Sequence, residues 1–138
     1  MTIDSIQNGV VIDHIPAGKS MELYRYLRLD AVDGSVALLQ NVPSRKLGKK
    51  DIIKVVAEID INWDVLGYLA PNCTVNVIRD GVNVEKRHLE LPERLTDVIQ
   101  CKNPRCITTI EQGLKHIFKL VNREKGVYRC IYCEAKAN

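Results

Sequence analysis

The N-terminal two thirds of the chain alternates between short β-branched runs and one-sided apolar segments, which predicts a mixture of strands and helices. Residues 18–29 place Leu23 and Leu27 four positions apart, as on the buried stripe of an amphipathic helix. A second helix is predicted over Asn62–Leu69, since asparagine commonly caps a helix and Pro71 follows. Five strands are predicted, at Val10–Ile12, Ser35–Val42, Ile52–Val56, Thr74–Ile78 and Val82–Lys86.

The predicted element order, β-α-β-β-α-β-β, indicates the class of the fold. With Asp80-Gly81 as a tight hairpin turn, this order is typical of a ferredoxin-like α+β domain. We therefore expect a five-stranded, mostly antiparallel sheet with two helices on one face. The other face must be covered or must pair with another chain.

Four cysteines in the last quarter of the chain have the spacing of a metal site. Cys101 and Cys106 form a C-x4-C pair, and Cys130 and Cys133 form a C-x2-C pair after a gap of 23 residues. Such pairs commonly supply four thiolates to one structural Zn²⁺, which leaves no open position for catalysis. A segment of about forty residues cannot bury enough apolar surface to fold alone, so metal binding would stabilise it.

Other interpretations of the cysteines are weaker. Disulfides require an oxidising compartment, and the N-terminus shows no export signal. A redox C-x-x-C pair should begin a helix, whereas Cys130 ends the strand-like segment GVYRC. Iron uses the same thiolate ligands, so the spacing does not distinguish it from zinc. His116 could replace one cysteine, and Cys73 is expected to be a small buried apolar residue.

The cysteine-containing part is predicted to be a separate small domain. Glu90–Arg94 is interpreted as a linker, and strands are predicted at Ile117–Val121 and Gly126–Arg129 around a charged turn. We therefore divide the chain into an α+β domain of residues 1–92 and a zinc-ribbon-like β domain of residues 93–138.

Charge differs between the two predicted domains. Residues 1–92 carry 11 Lys/Arg and 12 Asp/Glu, whereas residues 93–138 carry 9 and 5, so the second domain has a net charge of +4. An acidic partner, protein or nucleic acid, would explain this excess, although solubility alone could require it. No apolar run is long enough to span a membrane, and the free thiols favour a cytoplasmic location.

Polar residues of the first domain indicate a ligand pocket. They are Asp13 and His14 at the end of the first strand, Lys50 and Lys54 on one face of the third, Asn76 on the fourth and Lys86 on the fifth. Lysines and an imidazole suit a polyphosphate, and a carboxylate suits ribose hydroxyls, so a nucleotide pocket is one interpretation. A solvated lysine face is the other. The run Arg45–Lys50 is likewise either a phosphate-binding loop or a solvated one. No arrangement typical of an active site is visible, so catalysis is not expected.

Together these motifs resemble one family, the regulatory chain of aspartate carbamoyltransferase. The matching segments are VIDHIPA at 11–17, PSxxxGKKDIIK at 43–54, APxxTVN at 70–76, LPER at 91–94 and the cysteine pattern. They occur in this order, with near-constant spacing, over nearly the whole chain. The resemblance implies a non-catalytic subunit of an enzyme of pyrimidine biosynthesis.

The resemblance also implies ligands and partners. Members of this family bind CTP as inhibitor and ATP as activator at one site in the N-terminal domain, in many cases with UTP acting beside CTP. They form dimers through that domain and contact catalytic trimers through the zinc domain. We therefore expect CTP and ATP as effectors, a homodimer, and the catalytic chain as partner, with no membrane or nucleic-acid partner.

Roles for single residues follow from the same resemblance. For the nucleotide, the implied contacts are His14 and Lys86 with the triphosphate, Asp13 and Lys54 with the ribose, Ile6 and Gly81 with the base edge, Ile52 and Ile78 along the pocket wall, and Lys50 and Asn76 beside the ligand. For the catalytic chain, the implied contacts are Asn103 and Glu134.

A zinc-ribbon protein that binds nucleic acid is the alternative. The basic second domain favours it, but that domain has few aromatic residues and no long basic stripe. A steep salt dependence of binding to DNA or RNA would be the sign of such a protein.

Overall fold

The computed structural model describes residues 7–137. The chain forms two compact units, the first reaching Glu90 and the second beginning at Leu91. Each unit has its own sheet, five-stranded in the first and three-stranded in the second. No helix within the described range is long and apolar enough to cross a membrane.

The first unit is a wholly antiparallel sheet with two helices, which confirms the predicted α+β class. The strands lie in the order β2-β3-β1-β4-β5. Their bounds are β1 Gly9–Pro16, β2 Ser35–Ser44, β3 Gly48–Val56, β4 Thr74–Arg79 and β5 Val82–His88. The helices are α1 Ser20–Tyr26 and α2 Trp63–Leu69. All seven predicted elements are present, and all five strands run further than the sequence pattern indicated.

Strand alternation divides the sheet into two faces. Ile12, Ile53 and Val75 are fully buried and belong to one core cluster with Leu23 of α1 and Leu66 of α2. Residues one position away point to the opposite side because successive strand side chains alternate. We call that side the outer face; it carries Lys50, Ile52 and Lys54 of β3, Val11 and Asp13 of β1, and Thr74, Asn76 and Ile78 of β4.

The helix predicted over residues 18–29 is shorter in the structure. It ends at Tyr26, and Arg28 adopts a left-handed conformation (φ 54°) before a short 3₁₀ turn over Leu29–Ala31. Met21, although apolar, is 44% exposed and lies outside the buried stripe of the helix. The predicted cap of α2 is confirmed, since the Asn62 side chain accepts a hydrogen bond from the Val65 N–H at 3.2 Å.

Two irregularities interrupt the strands that flank β3. In β1 the register shifts between Ile12 and Ile15, and His14 has φ 58°. The extra residue allows both isoleucines, three positions apart, to be fully buried on the core side. In β2 the register shifts between Leu39 and Val42, at a left-handed asparagine. The bulge in β1 sets the positions of the polar residues that follow Ile12.

The second unit is a small antiparallel sheet of order β6-β7-β8. It contains β6 Arg94–Thr96, β7 Ile117–Asn122, β8 Val127–Cys130 and one short helix, α3 Ile107–Ile110. Leu95, Phe118 and Tyr128 form its buried apolar core beside the cysteines. The two predicted strands are present, and β6 and α3 were not predicted.

The segment interpreted as a linker is bound to the second unit. The Arg123 guanidinium donates to the Leu91 carbonyl at 2.8 Å, and the Tyr128 hydroxyl donates to the Pro92 carbonyl at 2.5 Å. Arg94 is already the first residue of β6. The boundary between the two units thus falls within the predicted linker, after Glu90, and Leu91–Arg94 are an ordered part of the second unit.

Candidate metal centre and ligand-binding face

The four cysteine sulfurs of the second unit lie together. All four Sγ atoms fall within 4.8 Å of one another, and none is in a disulfide. Cys101 and Cys133 are 3.6 Å apart, and Cys106 and Cys130 are 3.7 Å apart. A tetrahedral Zn²⁺ with Zn–S bonds of about 2.3 Å requires sulfurs about 3.8 Å apart. The donor set therefore fits one structural Zn²⁺, as the spacing predicted.

Backbone hydrogen bonds hold each cysteine pair in a turn. The Cys106 N–H donates to the Asn103 carbonyl at 3.1 Å, which closes the first turn. The Glu134 N–H donates to the Cys130 carbonyl at 2.9 Å, and Glu134 adopts φ 64° to make that contact. Both turns direct two thiols toward the same point, and β7 and β8 bring the turns together.

The surroundings of the thiols shift their pKa values in opposite directions. Burial raises the pKa of Cys101 to about 12. The Thr108 hydroxyl, 3.0 Å from the Cys106 sulfur, lowers the pKa of that thiol to about 6. A side-chain hydrogen bond from Asn103 lowers the pKa of Cys133. A bound Zn²⁺ would favour the thiolate at all four positions and complete a closed site without a catalytic opening.

Two other residues weighed in the sequence lie outside the cluster. His116 accepts a hydrogen bond through Nδ1 from the Cys101 N–H at 3.1 Å, so it supports a ligand and is not grouped with the four sulfurs. Cys73 is fully buried in the core of the first unit, where burial raises its thiol pKa to about 12. Its expected role as a small apolar residue is confirmed.

A row of side chains crosses the outer face of the first unit. In the strand registers Val11 lies directly opposite Lys54 on one side and Asn76 on the other, and Asn76 lies opposite Lys86. The sheet therefore brings together residues from β3, β1, β4 and β5 that are up to 75 positions apart in sequence (11 to 86). Ile52 lies on the same face, two residues from Lys54.

Polar contacts link the residues at the end of β1. The Lys50 ammonium lies 2.9 Å from Asp13 Oδ1, and the His14 N–H donates to the same oxygen at 2.6 Å. Burial raises the pKa of Asp13, but the hydrogen bond with Lys50 and that with the His14 backbone outweigh it, so the net pKa is lowered. The His14 ring lies 2.9 Å from the Thr74 hydroxyl, a residue that the sequence did not single out.

The turn between β4 and β5 meets the segment that leads into β1. The Gly81 N–H donates to the Gln7 carbonyl at 2.9 Å, and Gly81 has φ 76°. A Cβ at this position would lie 3.2 Å from the Gln7 side chain, so the close approach favours glycine. Asn76 accepts a hydrogen bond from the Asn83 amide at 2.9 Å nearby. Ile6 lies outside the described residues.

The two predicted partner contacts lie beside the metal centre. Asn103 is half-buried, and its side-chain oxygen accepts a hydrogen bond from the Arg105 N–H at 3.1 Å. Glu134 is exposed, while its backbone carbonyl accepts from the Arg129 guanidinium at 2.8 Å. Both residues are therefore fixed by the turns that hold the cysteines. Thr108, two residues after Cys106, also lies beside the metal centre and was not identified from the sequence.

Family comparisons agree with this two-part arrangement. Residues 1–90 match the family described as aspartate carbamoyltransferase regulatory chain, allosteric domain. Residues 93–138 match the family described as aspartate carbamoyltransferase regulatory chain, metal binding domain. The second match coincides with the unit that contains the four-cysteine cluster.

Individual relatives are similar over almost their full length. The aspartate carbamoyltransferase regulatory chain of Clostridium tetani is 53% identical over 135 residues, covering 97% of this chain and 94% of its own. That of Bifidobacterium longum is 48% identical over 137 residues, covering 99% of both chains. That of Clostridium botulinum (strain Hall) is 50% identical over 134 residues, covering 97% of this chain and 92% of its own.

Proposed function

The chain belongs to the family of aspartate carbamoyltransferase regulatory chains, and we propose that it binds CTP and ATP as allosteric effectors and docks on catalytic trimers through its metal-binding unit. As a regulatory chain it is a non-catalytic subunit. Its setting is then pyrimidine biosynthesis in the cytoplasm. UTP acting beside CTP is part of the same proposal.

The outer face of the first unit is the proposed nucleotide site. His14 and Lys86 bind the triphosphate, and Asp13 and Lys54 bind the ribose. Ile52 and Ile78 line the pocket, Lys50 and Asn76 lie beside the nucleotide, and Ile6 and Gly81 bound the base. The carrying observation is the strand register that aligns Lys54, Asn76 and Lys86 across one face.

Charge on this face supports an anionic ligand. Lys50 is already paired with Asp13 at 2.9 Å, so its charge is partly neutralised within the protein. Lys86 lies on an exposed strand and takes part in no ion pair among the described residues. A triphosphate would therefore gain most from Lys86 and from the imidazole of His14. CTP and ATP share the ribose and triphosphate, so discrimination must come from the base edge.

Regulation requires that the nucleotide affinity differ between two quaternary states.

The proposed dimer forms through the first unit. One edge of its sheet is β2, a strand of ten residues, and an edge strand of this length can pair with a second copy. The metal-binding unit makes the contact with the catalytic chain through Asn103 and Glu134. Zinc stabilises the fold of the unit that carries this contact surface.

Reconstitution with the aspartate carbamoyltransferase catalytic chain tests the proposal. The two purified chains are mixed, the complex is isolated by gel filtration, and aspartate saturation curves are recorded with and without CTP or ATP. The expected result is a larger complex whose curves shift in response to both nucleotides. Separate elution of the two chains, or a complex that is indifferent to nucleotides, would contradict it.

A further inference from the structure

Four cations form a row across the sheet of the second unit. In the strand registers Arg94 of β6 lies opposite Lys119 of β7, which lies opposite Arg129 of β8. A bridge then pairs Arg129 with Lys136. With strands about 4.8 Å apart, these four residues, which we call the cation row, extend over roughly 14 Å.

The cation row is unfavourable for the isolated chain. Like charges directly opposite each other on a sheet destabilise it. Within residues 7–137, none of the four takes part in an ion pair. In that same range, the one hydrogen bond from a side chain of the row runs from Arg129 to the Glu134 carbonyl, and it does not neutralise a charge. Arg94, Lys119 and Lys136 are exposed.

The metal centre fixes the sheet that carries the cation row. Leu95, Phe118 and Cys130 occupy matching register positions on the other face, where all three are fully or almost fully buried. The row therefore lies on the back of the metal-stabilised core. Because the strands are held from behind, the spacing of the four cations is set in advance of any binding.

Apolar surface adjoins the cation row. Val121 is 49% exposed, and an open cleft of about 500 Å³ is lined by the cations Arg94, Lys119 and Arg123, by Leu120 and Val121, and by one acidic residue, Glu93. Alternation directs Tyr128 of β8 and Phe118 of β7 to the core, so no aromatic strand residue lies on this face. Single-stranded nucleic acid is usually bound by stacking on aromatic residues. Cations beside an aliphatic cleft instead suit a protein surface that carries carboxylates.

We propose that the cation row is a docking surface for a carboxylate-bearing surface of the catalytic chain. This inference rests on the proposed function and adds residues that are distinct from Asn103 and Glu134. Electrostatic complementarity of this kind acts mainly on the rate of association and on its dependence on salt.

The test compares two variants with the same change of charge. Arg94→Gln/Lys119→Gln removes two charges from the row, and Lys115→Gln/Lys125→Gln removes two from exposed positions elsewhere in the unit. Association of each full-length chain with catalytic trimers is measured by stopped-flow fluorescence at about 20 and 150 mM salt. The row variant should associate about ten-fold more slowly at low salt, with a flatter salt dependence, and the control should stay within about two-fold.

Folding of the variants is checked by metal content and by the thermal midpoint, which the row variant should keep or raise. Lys136→Gln, a second variant at the end of the row, removes one charge instead of two and should slow association by about three-fold. Row and control variants that associate equally fast would overturn the proposal while leaving the proposed function intact. If the unsubstituted chain does not assemble at all, the proposed function itself fails. Salt-dependent binding of a 30-base-pair DNA that only the row variant loses would assign the row to nucleic acid and overturn the proposal.

Discussion

Asp13 and Lys50 form a half-buried ion pair, with the ammonium 2.9 Å from a carboxylate oxygen. The pair joins the bulge of β1 to β3 on the outer face. Because the same oxygen accepts the His14 N–H at 2.6 Å, the ion pair also fixes the backbone beside the imidazole. Two proposed nucleotide-binding residues are thus held by contacts that exist without a nucleotide, which lowers the ordering cost of binding.

Lys86 provides the most direct test of the nucleotide site. Lys86→Ala removes a charged hydrogen-bond donor to phosphate, which is worth about 1.5–3 kcal/mol. We expect calorimetry to show CTP and ATP both binding roughly 10- to 150-fold more weakly. Lys49→Ala is the matched control, because Lys49 is exposed on β3 but, as the neighbour of Lys50, does not lie on the outer face. Affinities that do not change in Lys86→Ala would remove Lys86 from the site.

Asp51 is a buried carboxylate that ties three segments together. It is fully buried and accepts N–H groups of Gly18 at 3.0 Å, Ser20 at 3.2 Å and Asn41 at 3.1 Å. It thereby joins the start of α1, the bulge of β2 and β3. Burial raises its pKa, but hydrogen bonds from the Ser20 side chain and from these backbone groups outweigh it, and the net pKa is lowered.

Replacement of Asp51 should destabilise the first unit strongly. Asp51→Ala leaves three backbone donors without an acceptor, at about 1–3 kcal/mol each, so a loss of about 3–5 kcal/mol is expected. Urea unfolding followed by the fluorescence of Trp63, the one tryptophan of the chain, measures it. Asp30→Ala is a suitable control because Asp30 is 61% exposed at its side chain. A loss below about 1 kcal/mol would mean that water replaces the carboxylate.

Acid should destabilise the first unit in a defined pH window. Asp13 and Asp51 both have a folded-state pKa below the ordinary value of 3.8. Their contribution is complete above the unfolded-state pKa and is lost as the pH falls through the folded-state values. The free energy of unfolding, read from Trp63, should therefore not change through these groups between pH 7 and 5 and should fall below about pH 4.

The pH experiment has an internal control in Asp51→Asn. This variant removes one of the two titrating carboxylates, so its stability should depend less steeply on pH below about 4 than that of the unsubstituted chain. Equal slopes in the two proteins would show that Asp51 does not bind protons differently in the folded and unfolded states. The variant also separates the carboxylate from metal loss in acid, which affects both proteins alike.

The features predicted correctly from the sequence are those that depend on local pattern. Asn62 caps α2 because a side-chain acceptor before a helix acts over three residues. The cysteine spacing was enough to predict the metal site, because each pair lies in one turn that brings its two sulfurs together. By contrast, β6 has three residues and exists only through pairing with β7, and the charges of Arg94 and Lys119 face each other through that pairing. Such contacts have no local signal.

The bulges were missed although the sequence contained a sign of one. Ile12 and Ile15 are both buried and three positions apart, which a regular strand with period two cannot achieve. The buried position of Asp51 had no such sign in the sequence. A buried carboxylate is rare, and N–H groups that donate to this one come from α1 and β2, far from Asp51 in the chain. The outer-face row followed from strand order, which only the hydrogen-bonded register establishes.

Metal removal should unfold the second unit and leave the first unit folded. Structural Zn²⁺ contributes roughly 10–16 kcal/mol in small modules, more than a sheet of three short strands provides by apolar burial. Elemental analysis should give one zinc per chain, and release with a chelator should expose four reactive thiols at Cys101, Cys106, Cys130 and Cys133. Amide hydrogen exchange should then lose protection in β6–β8, while the Trp63 fluorescence of the first unit does not change. Cys133→Ser should behave like the chelated protein, and Cys73→Ser, which replaces a cysteine outside the cluster, should keep its zinc. A second unit that stays protected without metal would mean that its apolar core alone folds it, and the structural role of zinc would have to be given up.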